Sequence, residues 1–150
     1  MTRRGIGTLA ISVMLVAGCV AQSERDCTLP HSGSVRHNAD STVLTIPLLS
    51  AAQVDSLGVY TGSILLLPEV ALPEHVHPDA EEIVFVSCGS VQVIMDGVEH
   101  VLEEGSALHI PAGAPHTAMA GPRGMAAVQM YRPGGPGLRF YDWTEVPGGG

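Results

Sequence analysis

The stretch PEHVHPDAEEIVFVSCG, residues 73–89, places two histidines and a carboxylate within eight positions. Side chains at positions i and i+2 of a β-strand lie on one face, so His75 and His77 are predicted to point to the same spot. After a turn at 78–80, Glu82 begins an apolar run that is typical of a second strand. Its carboxylate is predicted to join the two imidazoles, whereas Glu81 is predicted to face away.

A second stretch, GSALHIPAGAPH at residues 105–116, brings another histidine, His116, directly after a Pro/Gly-rich turn. Three neutral imidazoles and one carboxylate suit a divalent ion such as Fe, Mn, Ni, Co or Zn, and disfavour Cu(I) and calcium. Four protein ligands leave two positions open on a six-coordinate ion, as binding and catalytic sites require. The sequence therefore predicts one divalent metal ion as cofactor. Its predicted ligands are His75, His77, Glu82 and His116.

The rest of the chain is typical of an all-β protein. Among 150 residues, 18 Gly and 11 Pro separate short Val/Ile/Leu-rich runs, which favours a β-sandwich or barrel. Asp96-Gly97 between two such runs predicts a hairpin, because a type I′ turn needs positive φ angles. A short helix is predicted over about 50–56. The predicted strands are roughly 42–48, 60–67, 69–72, 81–87, 90–95, 98–102, 106–110, 115–119, 124–131 and 138–142.

The two stretches together resemble the two cupin motifs. His75-x-His77, four residues, Glu82, six residues and Gly89 match the first motif, and Gly105, Pro111, Gly113 and His116 match the second. The opening Gly of the first motif is replaced by Glu69 and the closing Asn of the second by Ala120. The resemblance covers about residues 42–131. It implies a double-stranded β-helix, or jelly roll, in a single cupin domain at 41–145, with the metal bound between the sheets by the same four residues.

The N-terminus is predicted to be an export signal. Arg3 and Arg4 precede an apolar run over 6–17 that is too short for a lasting bilayer span. The run ends in Val16-Ala17-Gly18-Cys19, which resembles a bacterial lipobox, with a signal peptide at 1–18 and lipidation of Cys19. An ordinary signal peptide and an inserted helix are the alternatives. Residues 19–40 are polar and predict a flexible tether. The resemblance implies an exported, lipid-anchored protein, and Val20 after Cys19 favours the outer membrane, facing the periplasm.

The remaining two cysteines leave two interpretations open. In an oxidising compartment, Cys27 and Cys88 have the right number for one disulfide. Alternatively, Cys88 is a small buried residue and Cys27 is a free thiol in the tether.

The charge balance bears on the partners. The formal net charge is −8, with seven Arg and no Lys, so the chain offers no basic patch for nucleic acid. A small-molecule ligand or substrate is expected instead, together with a membrane attachment through Cys19. Ile83 and Phe85 alternate with the ligand face, which predicts burial by the N-terminal segment or by a second subunit, a homodimer.

Two function classes fit these residues. The first is a metal-dependent enzyme, a dioxygenase or other oxidoreductase of cupin type, and the second is a non-catalytic lipoprotein that binds a metal, a sugar or an organic acid. His100 and His109 are predicted to lie away from the site, and the tail at 138–142 is predicted to cap the barrel as a strand. The pocket wall is predicted to be apolar and to include Val84, Val86, Gln92, Ile94, Met119 and Met130.

Overall fold

The computed structural model describes residues 26–29 and 33–147. Within them, short strands alternate with turns, and two strands are much longer than the rest. The strands are β1 (Arg36–His37), β2 (Val43–Pro47), β3 (Tyr60–Leu66), β4 (Ala71–His75), β5 (Glu81–Met95), β6 (Val98–Glu103), β7 (Ala107–Ile110), β8 (His116–Arg132) and β9 (Thr144–Glu145). The helices are α1 (Ala51–Leu57), α2 (Gly135–Leu138) and a 3-10 helix at Arg139–Asp142.

The predicted all-β jelly-roll barrel of cupin type is confirmed. The hydrogen-bonded order is β6-β5-β8-β3-β2-β1-β9, with β4 added to β8 and β7 added to β5. The first half of β5 pairs with β7 and with the end of β8, and its second half pairs with β6 and with the start of β8. The two long strands therefore run through both facing layers. An apolar core, which includes Val43, Leu66, Val91 and Ala127, lies between the layers.

Register shifts in β5 change which side chains face the interior. Pairing with β8 shifts between Val86 and Cys88 and again between Gly89 and Val91. Inward positions are even-numbered up to Val86 and odd-numbered from Val91, because the first shift inserts one extra residue into β5, whereas the second places its extra residues in β8. The prediction of Ile94, Met119 and Met130 as pocket wall is therefore wrong, since they are 41%, 46% and 39% exposed. Gln92 lies between the inward-facing Val91 and Val93, so its side chain points to the opposite face of β5 and does not belong to the pocket wall.

The bend in β5 depends on the closing glycine of the first motif. Gly89 has a φ of +76°, and a Cβ there would lie 2.1 Å from the carbonyl oxygen of Gly124. Only glycine fits this backbone conformation and close approach without strain. The motif therefore retains its glycine where the backbones of the paired strands β5 and β8 come close together, at Gly89 and Gly124.

Local predictions had mixed outcomes. The hairpin is confirmed, with φ angles of 50° at Asp96 and 77° at Gly97, and so is the helix, which begins after a capping box formed by Ser50 and Gln53. The strand predicted over 138–142 is wrong. Pro136 stands in the first turn of a short helix there, and a 3-10 helix at Arg139–Asp142 follows it.

A disulfide joins the N-terminal segment to the barrel. Cys27 and Cys88 are bonded, with their Cα atoms 5.7 Å apart, and Leu29 is buried beside Leu65. The described parts of the segment predicted as a tether thus lie against the outer face of the sheet, and β1 pairs with β2. The predicted signal peptide and Cys19 lie outside the described residues.

The outer face keeps an apolar patch. Ile83 and Phe85 are 43% and 45% exposed, so the described N-terminal residues do not cover them as one interpretation expected. The homodimer stays a prediction. No helix among the described residues is long and apolar enough to cross a membrane.

Candidate metal centre

Three histidines from separate segments meet at one end of the barrel. His75 ends β4 and lies directly opposite His116, the first residue of β8. His77 lies beyond the end of β4, at the start of the turn that leads to β5. One ring nitrogen of each histidine lies within 4.8 Å of the other two. The two strand pairings and the tight turn therefore gather the three imidazoles, although only His75 belongs to a strand as predicted for the pair.

Glu82 supplies a carboxylate to this cluster. Its Oε2 atom lies 3.3 Å from Nε2 of His77 and 3.7 Å from Nε2 of His116, and its residue is 6% exposed. Burial alone would raise its pKa, but contacts with His116 and His77 outweigh burial and lower the pKa of Glu82 to about 2. The structure thus brings together all four residues predicted as ligands, with the carboxylate ionised.

The hydrogen bonds of the ring nitrogens prepare the cluster for a cation. Nδ1 of His75 lies 2.9 Å from the carbonyl oxygen of Pro73, and Nδ1 of His116 lies 2.9 Å from that of Ala114. Because Nδ1 donates to these carbonyls in the neutral ring, Nε2 keeps a free electron pair.

The electrostatic environments of these two rings differ. Burial lowers the pKa of His75. Burial acts on His116 in the same direction, but Glu82 and the Ala114 carbonyl outweigh it and raise the pKa of His116. The neighbouring carboxylate thus favours a positive charge at His116 more than at His75.

His77 gives the clearest test of fit. Its Nε2 atom is buried and forms no hydrogen bond with any described residue. The nearest charged atom, Oε2 of Glu82, lies 3.3 Å away. A buried nitrogen without a hydrogen bond is costly unless something else satisfies it. A divalent cation bound by the three imidazoles and the carboxylate would do so, and the donor set suits Fe, Mn, Ni, Co or Zn. The four residues fit the metal that the cupin resemblance implies.

A cavity of about 180 Å³ opens onto this cluster. Its wall is mostly apolar, and its polar residues include Gln129, Tyr131 and Arg139, which the sequence analysis did not single out. Gln129 and Tyr131 lie two and four residues after Ala127 on β8 and therefore share its inward face. Recognition of that inward face in the sequence would have found them. The apolar lining residues are Val43, Ile64, Leu66, Leu72, Val84, Val91, Val93, Ile110, Ala118, Met125, Phe140 and Trp143.

Tyr131 is placed against the cluster. Its ring centroid lies 5.0 Å from that of His77, and its hydroxyl donates to Oε1 of Gln129 at 3.3 Å. Burial and the nearby charge of Glu82 raise the pKa of Tyr131 well above its usual value. The phenol therefore stays protonated at neutral pH and serves as a hydrogen-bond donor.

The other charged groups near Glu82 lie outside the site, as predicted. Glu81 points outward, where its carboxylate pairs with His109 at 2.9 Å and with Arg132. These contacts join β5 to β7 and β8 on both sides, so Glu81 faces away from the cluster, as predicted, and is paired there. His100 lies on β6, away from the cluster.

The fold is a jelly-roll barrel of cupin type with a cluster of metal-ligand candidates, and comparison with known proteins agrees with this fold. The family model described as "Cupin domain" matches residues 64–122, the segment that holds all four ligand candidates. An RmlC-like cupin from Shewanella frigidimarina superposes with a TM-score of 0.60 at 17% identity, over 74% of this chain and 93% of that one. These findings support the cupin superfamily, and the three-histidine cluster suggests a divalent metal ion.

Curated relatives match parts of the chain. Protein SchB from Streptomyces halstedii is 33% identical over 81 residues, 54% of this chain and 56% of that protein. Germin-like protein subfamily 3 member 1 from Arabidopsis thaliana is 31% identical over 61% of this chain and 47% of its own. Quercetin 2,3-dioxygenase from Bacillus subtilis is 40% identical over 47 residues, 31% of this chain and 14% of that enzyme. The chain thus spans about half the length of the first two relatives.

Proposed function

We propose that this protein is a metal-dependent enzyme of the cell envelope that acts on a small molecule, with oxygenase-like chemistry. One observation carries the proposal: the imidazoles of His75 and His116 and the carboxylate of Glu82 line an apolar cavity. A closed structural site would not open onto such a space. The dioxygenase named among the relatives supports the reaction class.

The residues around the cavity define what the protein itself contributes. His75, His77, Glu82 and His116 would hold the ion, which when bound supplies Lewis-acid or redox chemistry at its open positions. The apolar wall excludes water and packs against the body of the substrate. Tyr131, protonated at neutral pH, donates its hydroxyl proton to Oε1 of Gln129 and so orients that amide beside the cluster.

The competing function is non-catalytic binding of a metal and a small ligand. It is favoured by one observation: among the described residues that line the cavity, Glu82 is the sole carboxylate, and it belongs to the ligand cluster. A separate general base is therefore missing from that wall. Turnover discriminates between the two functions, because a binder would show saturable affinity alone.

We expect the metal-loaded protein to consume oxygen in the presence of its substrate. The protein is loaded in turn with Fe, Mn, Ni, Co and Zn, and oxygen uptake is measured on a panel of small phenols and organic acids. Uptake above that of free metal, lost in His116→Ala and kept in His100→Ala, supports the enzyme. Ligand binding without turnover under every metal would contradict the enzyme and leave the binding function.

The proposed location rests on the lipobox-like sequence before Cys19 and agrees with the Cys27–Cys88 disulfide, since disulfides persist mainly in oxidising compartments. We expect the full chain expressed in a bacterium to sediment with the membranes, and Cys19→Ser to be released into a soluble fraction. Fractionation and immunoblotting measure this. Equal membrane retention of the variant would contradict lipid anchoring at Cys19.

A further inference from the structure

Arg139 stands in the wall of the cavity without an acidic partner. We propose that it binds the carboxylate of a small organic acid whose apolar body fills the cavity beside the metal-ligand cluster. The inference rests on the proposed function in so far as it makes this cavity the substrate site. It adds the chemical class of the ligand and the residue that selects it.

The charges of the described residues single out Arg139. Arg36 pairs with Glu145 and Arg132 pairs with Glu81, and Arg123 also has a partner. Within the same described ranges, Arg139 forms no ion pair with a carboxylate. In a chain with a net charge of −8, an arginine that faces a cavity and lacks such a partner is available to a ligand.

The guanidinium of Arg139 belongs to the 3-10 helix at Arg139–Asp142 and lies over the ring of the neighbouring Phe140. Its central carbon lies 4.7 Å from the ring centroid of Phe140, a residue that is 1% exposed and lines the same cavity. Arg139 is an exposed residue, and this cation–π contact favours the position of its guanidinium over the ring. Arg36 donates to the carbonyl oxygens of Tyr141 and Trp143, so the backbone that carries Arg139 is attached to β1. The cation is therefore held on a fixed segment.

The wall of the cavity specifies the rest of the ligand. Glu82 and Arg139 are its acidic and basic residues apart from histidine, and most of the wall is aliphatic or aromatic. An apolar cavity of about 150 Å³ accommodates one benzene, so 180 Å³ suits one ring or a short branched chain. A guanidinium binds a carboxylate through two parallel hydrogen bonds. The fitting ligand is a monocarboxylic acid with a body of this size.

A second polar group in the cavity points to a ligand as well. Gln129 is 2% exposed and lines the cavity, and its Nε2 atom forms no hydrogen bond with any described residue. Its Oε1 atom already accepts from Tyr131. Because an unpartnered buried amide donor is costly, an acceptor oxygen on the bound acid would satisfy it.

The test compares an acid with its neutral isostere. Phenylacetate and phenylacetamide differ mainly in charge, and each is titrated by calorimetry into the purified metal-loaded protein. We expect phenylacetate to bind about 10- to 100-fold more tightly, the advantage of a charge-assisted hydrogen bond, and to weaken with added salt. Arg139→Gln should abolish the preference, and Arg139→Lys should restore part of it. Arg132→Gln, which alters an equally exposed arginine that does not line the cavity, should keep it.

Two results would overturn the inference. The first is an undiminished preference for phenylacetate in Arg139→Gln, which would place the carboxylate elsewhere, for example at the metal. The second is absence of binding for phenylacetate and for the smaller acid isovalerate. Metal content, measured in the same samples, separates this inference from the proposed function: Arg139-dependent binding by a protein that takes up no metal would keep the former and reject the latter.

Discussion

Substitution of His77 by alanine is expected to reduce bound metal from about one ion per chain to background. His77 is 5% exposed, and its Nε2 atom has no hydrogen-bond partner among the described residues, so coordination is the role that its position supports. Loss of a residue that merely orients a ligand already costs about 10- to 100-fold in affinity, and loss of the ligand itself should cost more. Elemental analysis of protein purified without chelator, and again after reconstitution, measures the effect.

The matched control is His100→Ala, which removes an imidazole from β6 without touching the cluster. Because alanine at position 77 leaves a cavity in a buried site, His77→Gln serves as a second variant of closer volume. Circular dichroism establishes that each variant is folded. Added metal should raise the melting temperature of the wild type and of His100→Ala but not of either His77 variant, since a ligand that binds the folded state stabilises it. Full metal content in folded His77→Ala would contradict the site.

Three of the four ligand candidates were accessible from sequence because their spacing is short and local, whereas His116 was found through the Pro/Gly-rich stretch that precedes it. His75 and His77 are two residues apart, and Glu82 follows after one turn. A segment this short can adopt few conformations, so the three side chains are expected to lie close together. The reasoning for His77 was nevertheless incomplete, because it lies beyond the strand in which it was predicted to share a face with His75. The tight turn, rather than strand alternation, brings its ring to the carboxylate of Glu82.

The wall of the cavity was less predictable, because it depends on one extra residue in β5 between Val86 and Cys88. Alternation read from Glu82 holds as far as Val86 and then changes phase, so residues such as Ile94 were assigned to the wrong face. Gly89 marks the bend in the sequence, but a glycine does not tell how many residues are added to the strand. Register against β8 decides that, and register is a property of two distant segments.

Arg139 was missed for a related reason. The tail at 138–142 contains enough aromatic and aliphatic residues to resemble a strand, whereas the fold places helical turns there. The tail follows the last long strand and lines the cavity through Arg139, Phe140 and Trp143. Its side chains reach the wall of the cavity only through that tertiary contact.

The Cys27–Cys88 disulfide is expected to contribute about 4 kcal/mol to the free energy of unfolding. The two cysteines are 61 positions apart. In the chain-entropy model, closing a loop of this length lowers the entropy of the unfolded chain and so raises its free energy by about 4 kcal/mol. Guanidinium unfolding of the wild type with and without reductant measures the loss. The double variant Cys27→Ser/Cys88→Ser should match the reduced wild type and should not respond to reductant. A loss below about 1 kcal/mol on reduction would contradict the prediction.

Reduction should leave the metal content of the folded protein unchanged. The disulfide attaches the N-terminal segment to the outer face of the sheet, where Cys27 and Leu29 pack beside Leu65 and Ala126, whereas the metal-ligand cluster faces the interior. Glu82 precedes the bend in β5, and its neighbour Glu81 is held by His109 and Arg132 independently of Cys88. Stability and metal binding are thus expected to respond to separate substitutions, with effects that add because the groups share no partner. Metal loss on reduction, in protein that remains folded, would show instead that the bend at Cys88 helps to position the cluster.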